Sequence, residues 1–87
     1  MDVLYRLNEV GIGESAIVWE LQNRVAMRRR LRDMGLIEGT TVERIGKSPG
    51  GDPSAYLIRG TVIAIRDIDA QDILVKKELP KEGATWD

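Results

Sequence analysis

The strongest structural signal in this chain is the segment Arg30-Leu-Arg-Asp-Met-Gly-Leu-Ile-Glu-Gly-Thr-Thr-Val42. Apolar residues at Met27, Leu31 and Met34 follow the i, i+4, i+7 spacing of one helix face. Gly35 comes directly after this face, and glycine is the residue type that accepts the left-handed conformation found just beyond many helix ends. The segment therefore predicts a helix that stops at Gly35.

The residues around this stop predict its detailed form. Counting back from Gly35 makes Leu31 the C3 residue and Leu36 the C″ residue, which are the apolar pair of a Schellman motif. Gly39 offers a second turn position, and the β-branched residues after it predict a strand over Thr40–Ile45. A helix and the strand that follows it are therefore expected to pack side by side.

Alternating apolar residues and turn formers outside this segment predict the remaining elements. These are an entry segment over 1–13, strand one over Glu14–Leu21, a helix over Arg24–Met34 capped by Asn23, strand two over Thr40–Ile45, a loop over Gly46–Pro53, a hairpin of Ser54–Ile58 and Thr61–Arg66 turning at Arg59-Gly60, one turn capped by Asp69, and a final strand over Ile73–Lys77. The fold class is therefore mainly β. Five short strands cannot form a stable open sheet with a bare face, so closure into a barrel is expected. We expect a small five-stranded barrel over residues 1–78, with one roughly three-turn α-helix between strands one and two, and a flexible polar C-terminal tail over 79–87.

The composition excludes most enzyme mechanisms. The chain has 87 residues, no cysteine and no histidine, so the commonest general base and the commonest transition-metal ligand are both missing. Ser15, Ser48 and Ser54 have no histidine to activate them, and no catalytic residue is predicted. A net charge of −1 argues against nucleic acid as a partner. Without a signal peptide or an apolar run of about 20 residues, a cytosolic protein is expected.

The predicted helix is strongly cationic, with five arginines between positions 24 and 32. Arg24, Arg28 and Arg32 form one stripe at i, i+4, i+8. One interpretation is a solvated surface, partly balanced by Asp33 pairing with Arg29. The other is a docking surface for an acidic protein, because the guanidinium group binds carboxylates bidentately and is weakly hydrated.

Two further patterns resemble functional motifs and fail on spacing. The tripeptide Gly46–Ser48 imitates the end of a phosphate-binding loop, but Thr41 stands where that loop needs its first glycine. Asp67, Asp69 and Asp72 cluster around one turn and carboxylates bind hard cations, but Asp72 occupies the sixth position, where a calcium loop needs glycine. Turn formation and helix capping explain these aspartates, so no metal site is predicted.

Four segments, in this order and spacing, resemble the FeoA family, the small cytosolic partners of the bacterial ferrous-iron transporter FeoB. They are Leu7–Gly13, Arg30–Gly39 with Val42, Gly51–Pro53, and Gly60–Arg66 through Ala70, Ile73 and Val75. The resemblance implies an SH3-like barrel and a non-enzymatic accessory or regulatory role in ferrous iron uptake. It also implies binding to the cytosolic GTPase part of FeoB, with no cofactor. Glu38 departs from the family, which often has proline there.

Two surfaces remain open as the partner-binding surface: the arginine-bearing helix and the Gly46–Pro53 loop. The candidate contact residues are Arg24, Arg28, Arg29, Arg32, Lys47, Ser48, Gly50, Gly51 and Asp52. The residues predicted to be structural are Gly35, Leu36, Gly39, Pro53, Gly60 and Arg66. We expect a monomer or weak oligomer that is recruited to the inner face of the membrane by its partner without inserting into it.

An alternative function is a divalent-metal-sensing module related to the C-terminal domain of metal-dependent repressors. Since the chain lacks histidine and cysteine, only oxygen ligands are available, and metal binding is expected to be weak and unselective.

Overall fold

One antiparallel sheet dominates the computed structural model, which describes residues 3–78. Its strands are β1 (Leu4–Arg6), β2 (Ser15–Leu21), β3 (Thr41–Lys47), β4 (Ser54–Ile58), β5 (Thr61–Ile65) and β6 (Ile73–Lys77). The strand order is β1-β6-β2-β3-β4-β5, and every neighbouring pair is antiparallel. The helices are a 3₁₀ helix (Leu7–Glu9), α1 (Val25–Asp33) and α2 (Asp67–Ala70). None of these helices is long and apolar enough to cross a membrane.

The prediction of a closed five-stranded barrel is wrong, because the sheet has six strands and does not close. Within residues 3–78, β1 and β5 form the two edges and do not pair with each other. The extra strand, β1, lies in the segment predicted as an irregular entry, and its three residues are too few to show a period of two. The predicted helix lies where expected in the chain, between β2 and β3, and α2 is an additional helix. The predicted tail over 79–87 lies outside the described residues.

The core is aliphatic apart from one tyrosine. Side chains from the inner face of the sheet meet those of the helices and of the segments that connect the elements. The buried apolar residues are Leu7, Val10, Ala16, Val18, Leu21, Leu31, Leu36, Val42, Tyr56, Ile58, Ile65, Ala70, Ile73 and Val75. Helix α1 contributes only Leu31 to this set, so most of its surface is left for solvent or a partner.

The predicted Schellman motif at the end of α1 is confirmed. Gly35 has a φ of +108°, and its N–H donates to the Arg32 carbonyl at 3.0 Å. The Leu36 N–H donates to the Leu31 carbonyl at 2.9 Å, which is the second hydrogen bond of the motif. Leu31 and Leu36 are both buried, so the stop brings two leucines into the core.

The predicted start of α1 is wrong in one respect. Arg24, and not Asn23, is the N-cap residue, and no side chain caps the helix there. The Asn23 side chain is 3% exposed and donates through Nδ2 to the Asp69 carbonyl at 2.9 Å. Asn23 therefore connects the start of α1 to α2, 46 residues away in the chain, instead of capping its own helix.

The hairpin predicted at Arg59-Gly60 is confirmed. Strands β4 and β5 pair from Ile58 opposite Thr61 outward. Arg59 has a φ of +52° and Gly60 a φ of +81°, and two positive values in a two-residue loop define a type I′ turn. This turn fixes the register of β5, which forms one edge of the sheet.

The buried phenol of Tyr56 is expected to make the protein less stable at alkaline pH. Its side chain lies in the core at 1% exposure, and burial raises the pKa of its phenol above the usual value. The unfolded chain then loses its proton at a lower pH than the folded protein, so the free energy of unfolding falls as pH rises past about 10. We expect Tyr56→Phe to reduce the slope of this decline in denaturant titrations between pH 9 and pH 11, a range of about one unit either side of the ordinary tyrosine pKa.

The Tyr56→Phe variant should still lose some stability with rising pH, because a second tyrosine, Tyr5, has a raised pKa. Burial, followed by the charges of Glu14 and Glu9, also raises the pKa of Tyr5. The Tyr5→Phe variant is the matched control, because it removes the other shifted phenol. An alkaline slope that is the same in the wild-type protein and in Tyr56→Phe would contradict the assignment to Tyr56.

Candidate partner-binding surface

The arginines of α1 lie on the part of the helix that does not face the core. Arg28 donates through Nη1 to the Asn23 carbonyl at 3.0 Å, which holds it against the start of the helix. Arg32 forms an ion pair with Glu38, with 3.0 Å between Nη2 and Oε2. The predicted stripe of Arg24, Arg28 and Arg32 therefore exists, with two of its three members in intramolecular contacts.

The predicted pair of Asp33 with Arg29 is wrong. Within residues 3–78 the ion pairs are Arg32 with Glu38 and Arg66 with Asp69. A hydrogen bond from its own backbone N–H, and then the hydrogen bond from Arg32, lower the pKa of Glu38 below its usual value. Glu38 and Arg32 are both well exposed, so this pair orients the Arg32 side chain more than it stabilises the fold.

Three arginines of this region form neither an ion pair nor a side-chain hydrogen bond in the described part of the chain. These are Arg24, Arg29 and Arg30, and all three are exposed. The α1 helix itself carries four arginines and one aspartate. Because an exposed guanidinium group without a counter-charge is available to bind a carboxylate, α1 presents a local positive surface on a protein whose net charge is −1.

A shallow apolar groove lies next to this positive surface. It has a volume of 520 Å³ and is lined by Ile17, Val18, Trp19, Glu38, Gly39 and Lys76. Trp19 is 45% exposed, and Lys76 Nζ lies 5.1 Å from the centre of its ring. Glu38, the ion-pair partner of Arg32, belongs to the wall of this groove, so the groove and the arginine stripe are continuous.

The exposure of Trp19 was not predicted from the sequence, because β2 contains an irregularity. Strict alternation assigns Ile17, Trp19 and Leu21 to one side of the strand, yet Trp19 is exposed and Leu21 is 3% exposed. The register between β2 and β6 shifts between Val18 and Glu20, so the strand carries one extra residue there. Nothing in the local sequence marks this bulge, which turns Leu21 into the core while Trp19 stays on the outer face with Ile17.

The loop predicted over Gly46–Pro53 is shorter than expected, because β3 continues through Gly46 and Lys47. Ser48 donates from both its N–H and its hydroxyl to the Pro53 carbonyl, at 2.9 and 2.8 Å. Asp52 Oδ1 accepts the Asp67 N–H at 2.8 Å, which ties the loop to the start of α2. Two of the candidate contact residues, Ser48 and Asp52, are thus occupied within the protein.

The residues Lys47, Gly50 and Gly51 of the same region are exposed. Lys47 lies at the end of β3 and forms no ion pair within residues 3–78. The loop therefore remains a second candidate surface, with fewer available charges than α1.

The acidic residues at α2 act in structural contacts. Asp69 accepts from Arg66 Nε at 2.9 Å, and Asp67 Oδ1 accepts from Asn8 Nδ2 at 3.1 Å. Arg66, and not Asp69, is the N-cap residue of α2, so the predicted turn capped by Asp69 is wrong. Within the described residues, no group of three or more acidic side chains is placed to hold a metal ion.

Arg44 has a structural role that the sequence analysis did not identify. Its Nη1 donates to the carbonyls of Val10 and Asn8 at 2.8 and 3.3 Å, and its Nη2 donates to Ser54 Oγ at 2.8 Å. One guanidinium group on β3 thereby joins the segment after the 3₁₀ helix to β4. An arginine in a predicted strand gives no sign of this, because its acceptors are 10 to 36 residues away in the chain.

Comparison with known proteins agrees with this architecture. A fusion of Fe(2+) transport protein A with the Fe(2+) transporter FeoB from Porphyromonas gingivalis is 32% identical over 80 residues, which cover 92% of this chain and 9% of the fusion protein. The FeoA-like protein of Clostridium acetobutylicum is 36% identical with a TM-score of 0.80, and the match covers 94% of this chain and 95% of that one.

A third relative adds the fold type. FeoA of Stenotrophomonas maltophilia in complex with zinc, described as a procaryotic SH3 domain protein, is 32% identical with a TM-score of 0.67, covering 80% of this chain and 87% of that one. The FeoA domain model itself matches residues 5–77, which is most of the chain. This chain therefore belongs to the FeoA domain family.

Proposed function

We propose that this chain is a non-enzymatic accessory protein of bacterial ferrous iron uptake that binds the cytosolic GTPase part of FeoB. The observation that carries the proposal is the relative in which Fe(2+) transport protein A and FeoB form one polypeptide. Two modules that are joined in one polypeptide act at the same place, and a contact between them requires a binding surface on the FeoA-like module. The chain spans 9% of that relative's length, so the transport activity belongs to the remaining part.

The surface that supports this proposal best combines α1 with the Trp19 groove. Tryptophan and arginine are the residues most enriched where interfaces gain their binding energy. Trp19 offers a half-exposed ring, and the adjoining α1 offers arginines without acidic partners. A partner with an acidic patch beside an apolar side chain would match both features, with the charges mainly raising the association rate.

Removal of the arginine stripe tests this surface. We expect the Arg24→Gln/Arg28→Gln/Arg32→Gln variant to bind the cytosolic GTPase part of FeoB from the same organism about 10- to 100-fold more weakly, because the variant loses the free Arg24 guanidinium group and most of the positive field of the stripe. Glutamine keeps an unbranched polar stem and a similar helix propensity, so the thermal unfolding temperature should change little. Calorimetric titration at low and moderate salt measures both the affinity and its salt dependence.

Two further variants locate the interface. The control is Lys77→Gln, which removes one exposed cation at the C-terminal end of β6. We expect this variant to bind with the same affinity as the wild-type protein. Lys47→Gln tests the loop. If the stripe variant binds normally while Lys47→Gln does not, the loop is the interface. If none of the proteins binds with or without GTP, the proposed function is wrong.

A second function, direct sensing of a divalent metal, is favoured by the zinc complex of the Stenotrophomonas maltophilia relative. In this chain only oxygen ligands could serve, which suit hard cations better than zinc. Anaerobic calorimetry with ferrous iron and with zinc separates the two functions: a tight and selective site would support sensing.

A further inference from the structure

Strand β5 leaves one side unpaired. Within residues 3–78 it pairs with β4 alone, so its other side is an edge of the sheet. Ile58 and Thr61 flank the two-residue turn and exchange both hydrogen bonds of their pair, after which bonded and non-bonded pairs alternate. The N–H and C=O groups of Val62 and Ala64 therefore point away from β4, toward the open side.

The usual protection of such an edge is missing from β5. Soluble proteins cover or blunt exposed edges with lysine, proline, a bulge or a very short strand. The sequence of β5 is Thr-Val-Ile-Ala-Ile, its register with β4 is regular, and Val62 is 58% exposed. The opposite edge strand, β1, has three residues, so it is protected by its shortness.

A groove runs between this edge and the side of α1 that is away from the arginine stripe. Its volume is 320 Å³, and its walls are formed mainly by Met27, Arg30 and Met34 of α1 and by Ala64 and Ile65 of β5. This volume is at the lower end of the roughly 300–1,000 Å³ of small-molecule sites, so it accommodates one or two side chains better than a cofactor. Methionines, which adapt their shape, line its apolar part.

The positive charge of Arg30 in this groove favours an acidic occupant. Arg30 lines it and forms no ion pair within the described residues, whereas Arg66 at its end is paired with Asp69. A second copy of this chain on the edge would bring its own α1, with four arginines and one aspartate, toward this α1. Since like charges at close range are unfavourable, an acidic segment of a different protein fits better than a copy of this chain.

We infer that β5 binds an extended acidic segment of its protein partner by strand addition. Main-chain hydrogen bonds form with Val62 and Ala64, a carboxylate of the segment pairs with Arg30, and a neighbouring apolar residue packs on Val62. This inference rests on the proposed function, because it specifies how the partner of that proposal is held.

Amide hydrogen exchange tests strand addition directly. The probe is the cytosolic GTPase part of FeoB from the same organism, titrated into the wild-type protein. We expect the Val62 and Ala64 amides to exchange at least about tenfold more slowly in the complex, while Ile63, already bonded to β4, changes less. The comparison is made within one strand, so a general stabilisation of the fold cannot imitate it.

A proline variant with a matched control tests the same edge. Ala64→Pro removes an outward N–H and leaves the hydrogen bonds to β4 intact, and we expect about tenfold weaker binding. Ala64→Ser keeps the N–H at almost the same size and should bind like the wild-type protein. Circular dichroism confirms that both are folded. If the proline variant does not fold, the exchange measurement on the wild-type protein still decides the question.

The outcomes are distinct. Binding that leaves exchange at Val62 and Ala64 unchanged overturns strand addition and leaves the proposed function standing. Absence of any binding overturns both. Protection of the same amides in the protein alone, increasing with its concentration, assigns the edge to a second copy and overturns the acidic-segment inference.

Discussion

We expect the Arg44→Ala variant to unfold with a free energy about 3 kcal/mol lower than that of the wild-type protein. The guanidinium group donates to the carbonyls of Asn8 and Val10 and to the hydroxyl of Ser54, which belong to two segments distant in the chain. Its removal leaves the carbonyls of Val10 and Asn8 without this donor in a partly buried place. Chemical denaturation with an unchanged m-value measures the loss.

The size of this loss is set by opposing contributions. Hydrogen bonds from a charged donor contribute about 1.5–3 kcal/mol each in favourable cases. Arg44 Nε, however, is buried without a partner in the described residues, which offsets part of the gain. At about 0.05–0.15 kcal/mol per residue, an 87-residue protein has a total stability of roughly 4–13 kcal/mol, so the loss would be a large fraction of it.

Arg44→Lys is the matched control for this prediction. It keeps the charge and most of the apolar stem, but a single ammonium cannot reproduce the fork that reaches Val10 and Ser54 together. We expect it to be intermediate, about 1–2 kcal/mol less stable than the wild-type protein. If Arg44→Ala and the wild-type protein unfold at the same denaturant concentration, Arg44 does not connect these segments energetically.

The Gly35→Val variant is expected to lose about 2–3 kcal/mol of stability. The φ of Gly35 is +108°, which is strongly unfavourable for a β-branched residue. A Cβ at this position would lie 3.4 Å from Ile58 Cγ2, close to an ordinary contact, so backbone strain and not overlap determines the effect. Thermal and chemical unfolding of the variant measure the loss.

Two comparisons identify backbone strain as the cause. Gly35→Asn should lose less than Gly35→Val, because asparagine tolerates positive φ better than other residues. Gly46→Ala, at a glycine without positive φ and with open space around its Cβ position, should leave the stability nearly unchanged. Equal stability of Gly35→Val and the wild-type protein would mean that the helix does not need a left-handed residue at its end.

The parts of the fold that were predictable from the sequence depend on neighbours in the chain. The stop at Gly35 follows from an apolar helix face and a glycine at the next position, and the hairpin follows from the Arg59-Gly60 turn between two apolar runs. In both cases the backbone chemistry of a few adjacent residues determines the structure. The family resemblance rested on four ordered segments that include these two, and the family is confirmed.

The unpredicted parts depend on contacts between distant segments. Asn23 is a residue type that commonly caps helices, but its side-chain amide donates to the Asp69 carbonyl instead. Asp52 looks like a free loop residue, but it accepts the Asp67 N–H. The closed barrel was expected because open edges are unfavourable, and the protein instead keeps one edge very short.

The candidate site shows the same division. The arginine stripe was visible as a helical period, and the structure added which arginines are already occupied. The exposure of Trp19 was hidden because alternation groups it with Leu21, and a register shift against β6 turns Leu21 alone into the core. Such a shift is determined by the pairing of two strands and leaves no mark within either one alone.

The exposure of Trp19 has a practical consequence for work with this protein. The chain has two tryptophans, Trp19 and Trp86, so replacing Trp86 by phenylalanine leaves a single indole emitter. That emitter touches both water and the Lys76 ammonium at the side of the groove. Any molecule that covers the groove changes the polarity around the ring, and the colour of the emitted light reports occupancy without an added label.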